Sequence, residues 1–564
     1  MNKTNKKMII YQTLPRLFGN TNTPVKQNGS KDENGVGKLS HYTLPVLNKI
    51  KELGATHIWY VGIIEHATQT DYRPYGIQHD HPTIVKGKAG SAYAIKDYYD
   101  IDPDLADHIP SRMEEFESLI KRTHEAGLKV IIDFVPNHVA RQYTSDAKPP
   151  YVKDLGQNDN TNQAFEPNNN FYYLPGQPLD IHFGCQDDDY AYTEFPAKVT
   201  GNNCFNTHPH KDDWYETVKL NYGVNYQEGS ITSFDPRPDT WTKMLDILKF
   251  WASKGIDGFR CDMVEMVPVE FWNWAIPEVK KQSSIIFIAE IYNPAAYRDY
   301  LQRGHFDYLY DKVGLYDTLR AIIEQKAPAS DITKTWQSVE GIQSQMLSFL
   351  ENHDEQRIAS SFFAGNPEAG YPGMIIASTL NTGPVMIYNG QELGEQGMDC
   401  EGFSGLDGRT TIFDYWSMTS IRNWINKWTF KEDKLTDEQL SLRKAYARLL
   451  NLAKNEPVFT QGSFYDLVFA NQNTPQFNPS RQYAYLRKHE NEVALVVVNF
   501  DKVEQQVNVR IPAEVFHALG IEDNRAARLT DLFTEEESIS TLTAAYPYQV
   551  TLPAYGGQIL KFTY

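Results

Sequence analysis

Between residues 44 and 133 the spacing of apolar positions switches back and forth between two periods. LPVLNKIKELG (44–54) carries apolar residues at helical spacing and stops at Gly54, and ATHIWYVGII (55–64) follows as an apolar, β-branched run. MEEFESLIKRTHEAG (113–127) and LKVIIDFV (128–135) repeat the pair. Strands that are apolar on both faces, alternating with amphipathic helices, predict a parallel sheet covered on both sides. The alternation resumes with DTWTKMLDILKFWASKG (239–255) before IDGFRCD (256–262), and VEFWNWAIPEVKK (269–281) before IIFIAE (285–290). SQMLSFLENHD (344–354) and GPVMIYNG (383–390) supply the last strands. With 8–14 as the first strand, the fold class is α/β, a (β/α)8 TIM barrel.

Two stretches break this rhythm. Residues 139–235 are rich in Asn, Asp, Tyr, Gly and Pro, and they are too long for an ordinary βα loop. They predict a domain inserted after strand 3. From residue 456 onward, RQYAYLRK (481–488), NEVALVVVNF (491–500), QQVNVRIP (505–512) and GGQILKFTY (556–564) alternate at period two, which predicts a C-terminal antiparallel β-sandwich. The resulting organisation is barrel over 1–138, inserted domain over 139–235, barrel again over 236–455 and sandwich over 456–564. Residues 27–38 read as a loop.

Composition narrows the function by exclusion. A formal net charge of -18 over 564 residues argues against nucleic acid or an anionic membrane as the main partner, and it fits a neutral substrate. No run of 18 apolar residues is present to span a bilayer. The start, MNKTNKKMIIYQTLPRLFGN, has only a short apolar run and no small-residue cleavage site. As numbered, the chain is expected in the cytoplasm, or in the periplasm or medium if a signal has been removed. The four cysteines match no zinc spacing; Cys185 and Cys204 share one polar segment and are a candidate pair. Oligomeric state is left open.

The chemistry lies at the strand ends. Asp133, Asp262, Glu290 and Asp354 each close or follow an apolar strand, and their spacing assigns them to strands 3, 4, 5 and 7 of one barrel. The C-terminal ends of barrel strands are where active sites form. Carboxyl groups facing one another across a short gap are what glycosidic cleavage needs: one protonates the leaving oxygen, and the other attacks carbon or activates water. Crowding by the other acids would hold the proton donor protonated. Arg260, two residues before Asp262, points the same way on the strand and can orient it. His138 and His353 stand beside strand ends, within reach of a sugar hydroxyl.

These residues lie in four segments, DFVPNH (133–138), GFRCDMVEM (258–266), IFIAE (286–290) and FLENHD (349–354), with a fifth, GPVMIYNGQELG (383–394). In order and content they resemble the α-amylase superfamily of retaining glycoside hydrolases over essentially the whole chain. The resemblance implies Asp262 as nucleophile, Glu290 as general acid/base and Asp354 as the third carboxylate, which binds sugar hydroxyls. It implies Arg260, His138, His353 and Tyr93 as substrate-binding residues, and Asp133 as structural. The chemistry requires no cofactor, but Asn137 matches a calcium ligand of many members. The stretch KLNYG (219–223) lacks the acid that often completes that site. Further departures are Ala92 and Ala94 around Tyr93, and Glu265 and Met266 where many α-amylases carry Lys-His. The implied activity is hydrolysis of α-glucosidic, mainly α-1,4, bonds in maltooligosaccharides or starch-like glucans. A transglycosylase or a trehalose- or maltose-type isomerase would use the same acids, and an inactive glycan-binding protein is the remote alternative.

Overall fold

The computed structural model describes residues 6–181, 183, 191–399, 402, 403 and 405–564. Eight parallel strands build the central sheet: β1 (Ile9–Thr13), β2 (His57–Tyr60), β3 (Lys129–Phe134), β4 (Gly258–Cys261), β5 (Ile286–Ala289), β6 (Tyr308–Tyr310), β7 (Met346–Leu347) and β8 (Val385–Tyr388). Each pairs with its sequence neighbour, and β1 pairs with β8. A bridge from Ser348, just after β7, to Val385 of β8 closes the ring. The alternation of periods is borne out: the chain forms a (β/α)8 barrel.

The helices form because each has one apolar stripe to bury. In α1 (Leu44–Glu52), Val46, Leu47 and Ile50 are buried while the lysines face out. In α2 (Arg112–Glu125), Phe116, Leu119 and Ile120 do the same. α3 (Asp239–Ser253), α4 (Val269–Lys280), α5 (Tyr297–Gln302), α6 (Asp317–Ile323), α7 (Tyr371–Thr379) and α8 (Asp437–Asn455) complete the outer ring. α7 is buried along nearly its whole length, because the C-terminal domain covers its outer side.

Among the described residues, 139–235 form short antiparallel pairings, such as His138–Ala140 with Thr217–Lys219 and Tyr173–Leu174 with Ala197–Lys198, and a helical turn at Tyr226–Glu228. A second excursion follows β2, where Ile64–His66 pairs with Ile95–Ile101. The stretch 27–38 is not loop throughout: Lys31–Asn34 makes a helical turn closed by a Ser30–Glu33 capping box. The Ser-x-x-Glu spacing was itself the local signal for it. The Cys185–Cys204 pairing involves a residue outside those described. Among the described residues no helix is long and apolar enough to cross a membrane.

The C-terminal domain is a six-stranded antiparallel sheet plus a two-stranded one. The six strands run in the order β9 (Ser463–Asp466), β10 (Gln482–His489), β11 (Glu492–Asn499), β16 (Gly556–Thr563), β13 (Ala526–Asp531), β14 (Glu537–Thr541). β12 (Gln505–Val509) and β15 (Tyr548–Leu552) form the small sheet. Period-two alternation divides β11 between two cores. Val493, Leu495 and Val497 meet Val507 and Val550, while Ala494, Val496 and Val498 join the core of the barrel.

Candidate active site

Register brings the first charges together. β4 pairs with β3 so that Arg260 lies beside Asp133, and both are buried inside the barrel mouth. The Arg260 guanidinium then forks. Its Nη1 donates to Asp262 Oδ1 at 2.9 Å and to Asp133 Oδ1 at 3.3 Å, while Nη2 stands 2.7 Å from Glu290 Oε1. Its Nε donates to the Tyr310 hydroxyl at 3.1 Å, and the rings of Trp59, Tyr93 and Tyr310 surround its cationic carbon at 5.1–5.6 Å. One buried cation therefore serves three acids.

Asp262 and Glu290 follow the last residues of β4 and β5, and Asp354 stands in the loop after β7. Met263 adopts a left-handed conformation (φ 43°), and its N–H donates to Glu290 Oε2 at 2.8 Å. Tyr292 OH donates to Glu290 Oε1 at 2.6 Å. The three acids, with Tyr93, His138, His353 and Tyr292, line one cavity of about 380 Å³.

Four acids crowded around one arginine disfavour simultaneous ionisation, so the cluster favours holding protons. Burial raises the Asp262 and Glu290 carboxyls; Arg260 opposes this, and the neighbouring charges of Asp133 and Asp262 respectively reinforce it. Asp354 is raised well above the ordinary range by burial and then by the charge of Glu290. Burial also lifts Asp133 to about 6. The two histidines are neutral, because burial lowers His138 to about 3 and His353 well below its usual value.

The supporting contacts are specific. Gln12 Nε2 donates to His353 Nδ1 at 2.7 Å, which leaves the ring proton on Nε2, 2.6 Å from the Tyr93 hydroxyl and 3.1 Å from Asp354. Tyr93 OH in turn donates to Asp133 Oδ1 at 3.3 Å, and Trp59 Nε1 to Asp133 Oδ2 at 2.9 Å. The Tyr93 and His353 rings stack at 5.1 Å, and His138 lies against Trp214. Tyr292, Met263, Gln12 and Trp214 were not anticipated. Tyr292 had a signal: it follows Glu290 by two residues, the same spacing that tied Arg260 to Asp262.

Asn137 stands apart from this cluster of acids. Its Oδ1 accepts a hydrogen bond from Lys219 Nζ, and its Nδ2 donates to the Gly201 carbonyl at 2.9 Å. Lys219 Nζ also reaches the Met266 carbonyl at 3.2 Å. A calcium ion needs six to eight oxygens, carboxylates among them. Here the amide oxygen already faces an ammonium group, and among the described residues no group of three His, Cys, Asp or Glu side chains is poised for a metal. The described residues around Asn137 do not fit a divalent cation. Burial lowers the Lys219 pKa to about 7, so the fold bears a cost to seat it there.

A larger cavity, about 720 Å³, lies between Trp336 and Phe464, away from these acids. Its buried Asp466 is already satisfied by Thr333, Trp336 and Tyr483, so the smaller cavity is the candidate site.

Residues 12–450 match the alpha-amylase catalytic domain, and residues 475–559 match the maltogenic amylase C-terminal domain. Maltase A2 of Drosophila melanogaster is 26% identical over 255 residues, 45% of this chain and 35% of that protein. Alpha-amylase 2 of Dictyoglomus thermophilum is 21% identical over 512 residues, 89% of this chain and 71% of the other. The chain thus spans about a third of the first relative's length. Among solved structures, a maltogenic alpha-amylase from Thermotoga neapolitana superposes over 100% of both chains with a TM-score of 0.64 at 20% identity.

Proposed function

Because this chain belongs to the α-amylase family, we propose that it cleaves α-glucosidic bonds in maltooligosaccharides or related glucans with retention of configuration. The observation that carries this reading is the Arg260 fork. One guanidinium contacts both acids, Asp262 Oδ1 at 2.9 Å and Glu290 Oε1 at 2.7 Å, and so holds the two carboxyls on the same side of the barrel mouth. Two acids held by one guanidinium suit direct attack by a carboxylate on the carbon whose leaving oxygen the other acid protonates, whereas an inverting enzyme spaces its acids further apart to seat a water.

In this mechanism Asp262, held as an anion by Arg260, attacks the anomeric carbon while Glu290 protonates the departing oxygen. Asp354 and the neutral His353 and His138 bind hydroxyls of the glycone, and Tyr93 stacks on its ring. The ester formed at Asp262 no longer carries the negative charge that helps raise Glu290. The Glu290 pKa therefore falls once the ester forms, which prepares Glu290 to take a proton from water in the second step. Maltoheptaose followed by chromatography and proton NMR is expected to yield shorter maltooligosaccharides whose first-formed anomer is α. A β anomer would refute retention, and species longer than the substrate would make the enzyme a transferase.

The same reading includes Lys219 as a built-in cation between barrel and inserted segment, with no calcium requirement. Dialysis against EDTA is expected to leave rate and melting temperature unchanged. Lys219→Met should cost about 1–3 kcal/mol, because Asn137 Oδ1 and the Met266 carbonyl lose their donor. A chelator-induced drop in melting temperature would count against this assignment.

A further inference from the structure

The two ends of the catalytic cavity differ. Glu290 marks the leaving-group side, with Met263 N–H and Tyr292 OH on its carboxylate. By the mechanism proposed above, Tyr93 and His353 meet the glycone, and next to Tyr93 three chain segments are sewn together along the same cavity. Ser91 Oγ accepts the Tyr93 N–H at 3.2 Å, which joins Tyr93 to the stretch 86–91. That stretch is bonded to the segment after β8: Ala89 N–H donates to the Phe413 carbonyl at 3.0 Å, and Lys88 N–H to Asp414 Oδ1 at 3.1 Å. The approach is so close at Gly87 (φ 64°) that a Cβ there would lie 2.2 Å from the Phe413 oxygen. Arg409 Nε, on the same segment, donates to the Asp354 carbonyl at 2.6 Å.

The third segment comes from the insertion. Lys86 Nζ pairs with the buried Glu216 at 3.2 Å and lies over the rings of Tyr215 and Phe413 at 5.4 and 5.9 Å. Lys86, Glu216 and Phe413 all line the catalytic cavity. A polymer bound across the site would have to pass through an ion pair and a hydrogen-bonded backbone seam. The cavity, about 380 Å³, is also at the small end of the roughly 300–1,000 Å³ range of small-molecule pockets.

We propose that the Lys86–Glu216 bridge and the Phe413 seam end the cleft behind the glycone, so that the enzyme acts from the non-reducing end and releases a short glycone. This inference rests on the retaining-glycosidase reading above. In the reaction the glycosidic C–O bond breaks, water supplies the hydroxyl of the released sugar, and the proton passes to the shortened glucan.

The test compares p-nitrophenyl maltoheptaoside with the same compound carrying an ethylidene block on its non-reducing end. The free compound is expected to lose short sugars from that end. The blocked one should turn over roughly 100-fold more slowly, because a bulky end group must be forced into a packed wall. Lys86→Ala and Glu216→Ala should each raise the blocked-to-free rate ratio by about tenfold or more, since each removes part of the wall. Comparable rates on the two substrates, or internal fragments as first products, would overturn the proposal. If neither substrate is cleaved, the glycosidase reading itself falls and the inference with it.

Discussion

Asp262→Asn is expected to lower kcat by about four to six orders of magnitude, the usual loss when a nucleophile acting in concert with other groups is removed. The carboxamide keeps an oxygen for the Arg260 Nη1 that now donates at 2.9 Å, and its volume is almost unchanged, so packing in the barrel mouth is preserved. What disappears is the anion that attacks carbon. Binding of a maltooligosaccharide, measured by calorimetry, should persist within about tenfold, because Tyr93, His138, His353 and Asp354 remain in place. A variant that keeps wild-type kcat would remove Asp262 from the mechanism. A variant that loses binding as well would mean the change had damaged the site as a whole.

Arg260→Met should produce the largest loss of stability. It withdraws the single buried cation from Asp133, Asp262 and Glu290, and breaking a buried pair from one side costs about 3–5 kcal/mol. The loss should also depend on pH in a definite direction. Burial already raises all three carboxyls, and without the arginine they would rise further. Acids whose folded pKa exceeds the unfolded value bind more protons in the native state, so stability falls as pH rises through that interval. Thermal melts should therefore show a small deficit near pH 4.5, close to ordinary carboxylate values, and a large one near pH 7. An equal deficit at both pH values would mean that lost packing, and not charge, explains the change.

The parts of the site that were legible in the chain are those tied to regular strands. Asp133, Arg260, Asp262 and Glu290 lie in or directly after β3, β4 and β5, where spacing and alternation determine which side chains share the barrel mouth. Asp354 was legible through the arithmetic of repeated units, although it stands several residues past the short β7. The wall behind the glycone was not. Lys86 and Glu216 belong to irregular segments far apart in sequence, and only the folded backbone brings them to 3.2 Å. The stretch 219–223 is legible for the acid it lacks, whereas the hydrogen bond from the Lys219 ammonium to the Asn137 amide oxygen is visible only with the insertion packed on the barrel. The C-terminal strands were clear from period two, but alternation alone could not say that both faces of β11 would be covered.

The closure of the barrel also constrains how the protein can be made. Ile9 of β1 takes its second partner from Val385 of β8, so nearly the whole barrel must leave the ribosome before the first strand loses its open edge. At about 5–20 residues per second that wait is roughly 20–75 s. Throughout it, β1 offers unpaired N–H and C=O groups to any other nascent strand. Lys7, beside β1, donates to the Ser378 and Asn381 carbonyls around the end of α7, and Arg487 of β10 donates to the Leu380 carbonyl between them. Lys7 is therefore held by carbonyls 371 and 374 residues further along the chain. Because β1 keeps an open edge until β8 arrives, yields should respond to chaperone supply as well as to the stability of the finished fold.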